Sequence, residues 1–245
     1  MKKTIILFLI SLLIVESCNV NSEIIYHKDA ASTSVSDIDT REFIAEMKAM
    51  TPDSLQQKEF GELDKLPASW TNLYDLEKKE GKLKTANQDS IRIMKKIFMK
   101  SNKESNEPSG FSIKLEHFTP EDYLALKSYT KDEKLPLDQN IFNTWDGKTL
   151  TINTKNFNLK NIEEALRSKS SNEESEKMEG MMMMFFKKIG TTLRFENKIK
   201  SITGKHDWLT KIDDYSVRIE YDLKTMYDKE AKFKNADPTI TIVTE

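Results

Sequence analysis

Few side chains in this sequence have the type and spacing to do chemistry. Cys18 is the only cysteine. A lone thiol can accept an acyl or alkyl group, but it cannot close a disulfide within the chain. The three histidines are His27, His117 and His206. None lies three to five residues from another, so no zinc-type ligand spacing exists and no metal is expected. Each sits in or beside a predicted strand, which favours solvent-facing or edge positions. Acyl transfer would need an activated nucleophile, and no Gly-x-Ser-x-Gly elbow occurs. Phosphate-loop and dinucleotide fingerprints are also missing, so no nucleotide cofactor is expected. Asp213-Asp214 and Glu163-Glu164 could share acid–base work. With 40 acidic residues in the chain, such pairs are ordinary on a solvated face. The motifs do not point to an enzyme. A small hydrolase using carboxylates remains the alternative.

Met178 and the run Met181-Met182-Met183-Met184-Phe185-Phe186 admit three uses. Met178, Met181, Met182 and Phe185 would share one face of a helix and could fill an irregular core. Met181, Met182, Met184 and Phe185 could line a surface for an apolar ligand. Clustered thioethers also suit Cu(I), although no histidine is near. Of the tryptophans, Trp70 lies on a helical stripe with Leu66, Leu73 and Tyr74, which favours burial. Trp145 precedes a tight turn and is the one expected to be exposed. Trp208 is the third.

The first eighteen positions set the location. Lys2 and Lys3 precede an apolar run from Ile5 to Val15 broken only by Ser11, the pattern of a secretory signal. The run is shorter than the roughly 20 residues a spanning helix needs. An ordinary signal cut near Ser22, discarding Cys18, is one reading of this end. The 245 residues carry 38 basic and 40 acidic side chains. Losing Lys2, Lys3 and Glu16 with the signal changes that balance little. Near neutrality argues against nucleic acid, which demands a basic face.

The body alternates strand and helix patterns. Residues 23–28 and 33–38 predict a hairpin. Asp39 with Glu42 reads as a capping box opening a helical insertion over about 39–101, its last helix running from Asp89 to Lys100. Residues 101–109 read as a loop and 111–115 as a strand. Thr119-Pro120-Glu121-Asp122 combines an N-cap, a proline at the first helical position and acids at the positive end of the dipole. Asp146-Gly147 predicts a hairpin turn. Helices are expected from Leu159 and over 178–189, the latter ending at Gly190. Strands return at 192–195, 199–203, 208–210 and 215–221. A short helix near 224–232 and a last strand at 239–243 follow. Hairpins with helices in blocks give an α+β domain, a mostly antiparallel sheet with helices on one face.

Val15-Glu16-Ser17-Cys18 resembles a bacterial lipobox. That resemblance implies a diacylglycerol on the Cys18 thiol, cleavage before Cys18 and an acylated new amino group. Residues 1–17 would be the signal peptide, 18–22 a short lipidated tether and 23–245 a single domain. Asn19 is not the aspartate that retains some lipoproteins in the inner membrane, so the outer membrane is implied. Three further stretches carry a second likeness: Leu66-Pro67-Ala68-Ser69-Trp70, Asp146-Gly147-Lys148-Thr149-Leu150 and residues 195–201. They resemble a family of uncharacterised lipoproteins of Bacteroidetes-type bacteria, and the general plan is similar to the LppM-type lipoprotein domain. The family implies a location and a fold, and no catalytic residue. The expectation is a lipid-anchored, non-enzymatic envelope protein that binds a partner protein or an apolar ligand near the membrane.

Overall fold

Strands β1 (Asn19–Tyr26) and β2 (Ser32–Asp39) form the hairpin that the apolar alternation predicts. In the computed structural model, described over residues 19–41, 65–83, 85–104, 107–129, 143–157, 188–222 and 233–245, β1 starts at Asn19 and not at Glu23. Residues 19–22, expected as a tether, are therefore strand. Val20 pairs with Ile189 on one side and Ile38 on the other, and Ser22 with Thr191 and Ser36. Ser22 alternates with buried Ile24 and Tyr26, and its hydroxyl meets Ser36 Oγ at 2.9 Å. That bond lets a polar residue continue an inward-facing strand.

The remaining elements run in order. They are β3 (Thr71–Asn72), α1 (Leu73–Lys79), α2 (Gln88–Lys96), β4 (Ile97–Glu104), β5 (Glu107–Phe118) and α3 (Pro120–Tyr129). Then come β6 (Asn143–Trp145), β7 (Thr149–Asn153), β8 (Lys188–Phe195), β9 (Ile199–Thr203), β10 (Leu209–Lys211), β11 (Ser216–Asp222) and β12 (Thr239–Thr244). Eight strands form one sheet in the order β10-β11-β8-β1-β2-β5-β4-β3, and four form a second, β6-β7-β12-β9. Only β1 and β8 run parallel among the described pairs. The α+β, mostly antiparallel class holds, and the second sheet is an addition to it.

Four local expectations are corrected. The helix predicted over 89–100 stops at Lys96, and Ile97 to Glu104 pair with β5. Ile97 and Phe98 fit a helical or a strand period, and cross-strand pairing decides between them. The loop expected at 101–109 is for the same reason mostly the facing ends of β4 and β5. Gly190, expected to end a helix, lies inside β8 opposite Asn21 and Glu220. Residues 65–70 are not helical; the Ser101 N–H donates to the Pro67 carbonyl at 2.7 Å and holds them beside β4. The helices expected over 42–63, from Leu159 and over 224–232 lie outside the described residues.

Two apolar cores share one face of the large sheet. Ile24, Tyr26, Leu193, Phe195, Val217 and Ile219 meet Leu150, Ile152, Ile240 and Ile242 of the small sheet, with Phe157 and Trp208 beside them. Ile93 and Leu126, from α2 and α3, pack on Ile97, Leu115 and Phe118 of β4 and β5. Between the two runs β2, whose inward side chains Ser32, Ser34 and Ser36 are all buried. Ser34 stands opposite Ile24 on one side and Leu115 on the other. A column of hydroxyls thus separates the cores.

Candidate functional site

The two ends of the large sheet differ. At one end lie Asn19 of β1, Lys188 of β8 and Asp39 of β2. At the other, about 25 Å along β1 at roughly 3.3 Å per residue, four turns bring ionisable groups together.

His27 directly follows β1. Its Nδ1 lies 2.7 Å from Glu196 Oε1, and its Nε2 lies 2.9 Å from Thr33 Oγ1. His117, near the end of β5, lies against it with ring centres 4.8 Å apart and the planes tilted by 39°. The backbone of His117 is left-handed at φ 49°, and its N–H donates to the same Thr33 hydroxyl at 3.0 Å. His117 Nε2 lies 2.8 Å from Asp29 Oδ2. The Glu196 carboxylate also accepts from the Lys28 N–H at 3.0 Å. The His27 bond, then this N–H, hold Glu196 below the usual carboxylate range. Asp29 is lowered as well, first by the Ala31 N–H and then by His117.

Two flanking contacts lock this arrangement. Trp145 Nε1 donates to the His27 carbonyl at 2.7 Å, tying the β6–β7 hairpin to the β1–β2 turn. Lys96 Nζ donates to the His117 carbonyl at 2.8 Å and to Asp122 Oδ2 at 2.6 Å. Burial, then the Arg92 guanidinium, push the Lys96 ammonium below its ordinary value. Arg92 Nη1 also contacts Asp122 Oδ1.

A general base needs a nitrogen facing a cleft. Both nitrogens of His27 are engaged, as is Nε2 of His117, and the cluster joins the turns to one another. Its geometry is that of a clasp. Among the described residues no three His, Cys, Asp or Glu side chains converge to hold a metal.

An open pocket of about 310 Å³ lies at the Asn19 end, lined by Asn21, Asp37, Ile38, Asp39, Asn102 and Ser109. Buried Ser112 donates to Asp37 Oδ1 at 2.5 Å and accepts from Asn102 Nδ2 at 2.8 Å. Arg41 covers Asp39 through bonds to both carboxylate oxygens. Beside this pocket, Arg218 reaches across the bare backbone of Gly190 to Asn21 Oδ1 at 3.2 Å. The lining is polar, with Asp39 paired to Arg41 and Asp37 bonded to the Ser112 hydroxyl.

Cys18, Met181, Met182, Met184 and Phe185 lie outside the described residues. The histidines divide. His27 and His117 meet, whereas His206 is buried beside Phe157, Trp208 and Phe233. That burial, opposed by Asp207, lowers its affinity for a proton. The edge position expected for His206 is thus corrected. Trp145, expected to be exposed, packs on Tyr26 and Phe195 at 5.3 and 5.6 Å. Trp70 is half-buried under Lys100 and Lys114, 5.0 and 5.5 Å from the ring centre. Spacing gave no hint of the clasp, because its members sit at positions 27, 29, 33, 117 and 196. The available signal was that His27 and Glu196 each directly follow an aromatic residue closing an alternating strand.

No protein-family model matches the sequence, and no curated protein matches it either. The chain is similar to the folded domain of Mycobacterium tuberculosis LppM. The NMR structure of that domain aligns with a TM-score of 0.38 and 10% identity, over 94% of this chain and 90% of that one. At that level the similarity assigns no role to any residue.

Proposed function

We propose that this is a cell-envelope protein anchored by lipid on Cys18, non-enzymatic, engaging a partner protein or an apolar ligand beside the membrane. The observation that supports the anchor is the start of β1. A signal cut near Ser22 would remove residues 19–22 from an interior strand paired on both sides. A cut before Cys18 leaves that strand whole. Asn19 in place of an aspartate favours the outer membrane. The partner is favoured over the apolar ligand by the described surface. Its pocket is polar, while Ile212 and Tyr215 expose apolar side chains between β10 and β11, at the end of the sheet away from Asn19. The hydrolase alternative has the histidine pair, but with its nitrogens largely committed.

Metabolic labelling with a fatty-acid analogue tests the anchor. The wild-type protein should take up label and sediment with membranes, and Cys18→Ala should lose both. A Cys18→Ala protein that keeps label and membrane fraction refutes it. Cross-linking in native membranes, followed by identification of the attached species, then separates partner from ligand.

A further inference from the structure

We propose that the outer face of the large sheet beside β3 is a docking surface for an anionic lipid bilayer, its lysines meeting the phosphate headgroups. Ile97 and Leu115 pack in the core under α2 and α3, so strand alternation turns Phe98, Lys100 and Lys114 to the opposite face. Phe98 pairs with Lys114, and Lys100 with Ser112. Thr71 pairs with Met99, which brings Trp70, one residue earlier, level with Lys100. There Lys100 and Lys114 lie 5.0 and 5.5 Å from the Trp70 ring centre, and Lys114 lies 4.4 Å from that of Phe98. Both rings are half-buried. Ammonium groups interleaved with aromatic rings suit a membrane interface. Lysine stems cover apolar surface while their heads reach phosphate, and tryptophan settles at headgroup level.

Charge and position favour lipid as the occupant. Asp39 and Glu104 bond to Arg41, Glu23 to Arg194, and Asp37 to the Ser112 hydroxyl. Lys114 pairs with Glu116 at 2.7 Å, whereas Lys100 has no carboxylate partner among the described residues. Strand register then sets the height of the patch. Lys100 stands opposite Ser112, Ser112 opposite Asp37, and Asp37 opposite Asn21. Lys100 and Trp70 are thus level with Asn21, about 7 Å along the strand from Asn19 and about 15–20 Å across the sheet. A lipid on Cys18 sets that end of the sheet at the bilayer, and a lean of the body brings this face onto the headgroups. The step from height to membrane rests on the lipid-anchor reading; the pairing of rings with lysines does not.

The test reconstitutes the whole protein, purified in detergent, into vesicles whose acyl chains carry bromine near the headgroup. One set is phosphatidylcholine, the other equal parts phosphatidylcholine and phosphatidylglycerol. Trp145 and Trp208 pack in the sandwich core, so bromine reads Trp70. Emission should be quenched in the anionic set and far less in the neutral one. Salt at about 1 M, where the Debye length is about 3 Å, should erase the difference. Lys100→Gln should lower the docked-to-free ratio about five-fold, and Trp70→Phe should abolish the quenching, with circular dichroism checking that each variant is folded. If Trp70→Phe does not fold, the Lys100→Gln and salt results decide. Equal quenching in both sets, or quenching unchanged in the variants, overturns the proposal. So does quenching in neither set, the result expected if the face serves an acidic protein partner. Mass spectrometry of the same sample reads the anchor separately. A chain without lipid refutes the anchor alone if it still sediments with the anionic vesicles and not the neutral ones, and refutes both if it sediments with neither.

Discussion

Removing the Asp122 carboxylate should destabilise the helical half of the domain strongly. Asp122 is fully buried, with Lys96 Nζ at 2.6 Å, Arg92 against its other oxygen and the Thr119 N–H donating to it at 3.1 Å. Stripping one partner from a buried ion pair costs about 3–5 kcal/mol. Arg92 and Lys96 are 43% and 29% exposed, so both can turn to water when the carboxylate is lost. That places the electrostatic part near the low end, about 3 kcal/mol. Thr119 and Asp122 also form a reciprocal cap on α3, worth about 1 kcal/mol. Asp122→Ala should therefore cost about 3–4 kcal/mol of a total of about 5–15 kcal/mol. At about 2–4 °C per kcal/mol for a chain of this size, the midpoint should fall by about 6–16 °C. Circular dichroism melts and urea midpoints read this directly. Asp122→Asn, which keeps an acceptor for Thr119, should fall between. A triple variant with Asp122→Leu, Arg92→Leu and Lys96→Met should recover much of the loss, because no charge is left to be solvated. An Asp122→Ala protein melting within about 2 °C of its parent would refute the reasoning.

Gly147→Ala should loosen the clasp from the side of the small sheet. Gly147 has φ 95°, and an added Cβ would stand 2.5 Å from the Lys28 carbonyl oxygen. A loss above about 1 kcal/mol is expected, with a red shift of tryptophan emission as Trp145 leaves the His27 carbonyl; unchanged melting and emission would count against it. Acid should unfold the protein in a definite window. Glu196 is held low by His27 and Asp39 by Arg41, so the unfolded chain takes up these protons first. Their stabilisation is complete above the unfolded value near 4.3 or 3.9 and is lost as pH falls through the lower folded value. Melting temperature should hold from neutral to about pH 5 and decline through pH 4 and 3. Glu196→Gln should flatten part of that decline, and an identical profile in the variant would remove the clasp from the account.

Local features were legible where one short stretch carries its own cause. Asp146-Gly147 turns as its residue types require, and Thr119 to Asp122 start α3, because caps and turns are decided within four residues. The strands at 192–195, 199–203 and 239–243 show alternation that needs no partner to be seen. What could not be read depends on distant residues. Ser22 looks like linker until Ser36 offers its hydroxyl. Ile97 and Phe98 look helical until β5 pairs with them. The parallel match of β1 to β8 and the meeting of His27 with His117 leave no local periodicity. Serines along one face of β2 hide that strand's burial, since a polar side chain signals solvent unless its neighbours supply hydrogen bonds.

That serine column also bears on how the molecule comes apart. Apolar side chains lock together through contact, and Ser32, Ser34 and Ser36 interrupt such contact between the sandwich half and the helical half. Among the described residues the halves communicate through the backbone ladder of β2, hydroxyl bonds such as that of Ser32 to Tyr123 at 2.8 Å, and the clasp that sets His117 against His27 and Asp29. Opening of α2 and α3 away from β4 and β5 would leave the other core sealed. Amide exchange should then sort these residues into two protection classes that meet at β2, where a uniform class would argue for a single cooperative unit.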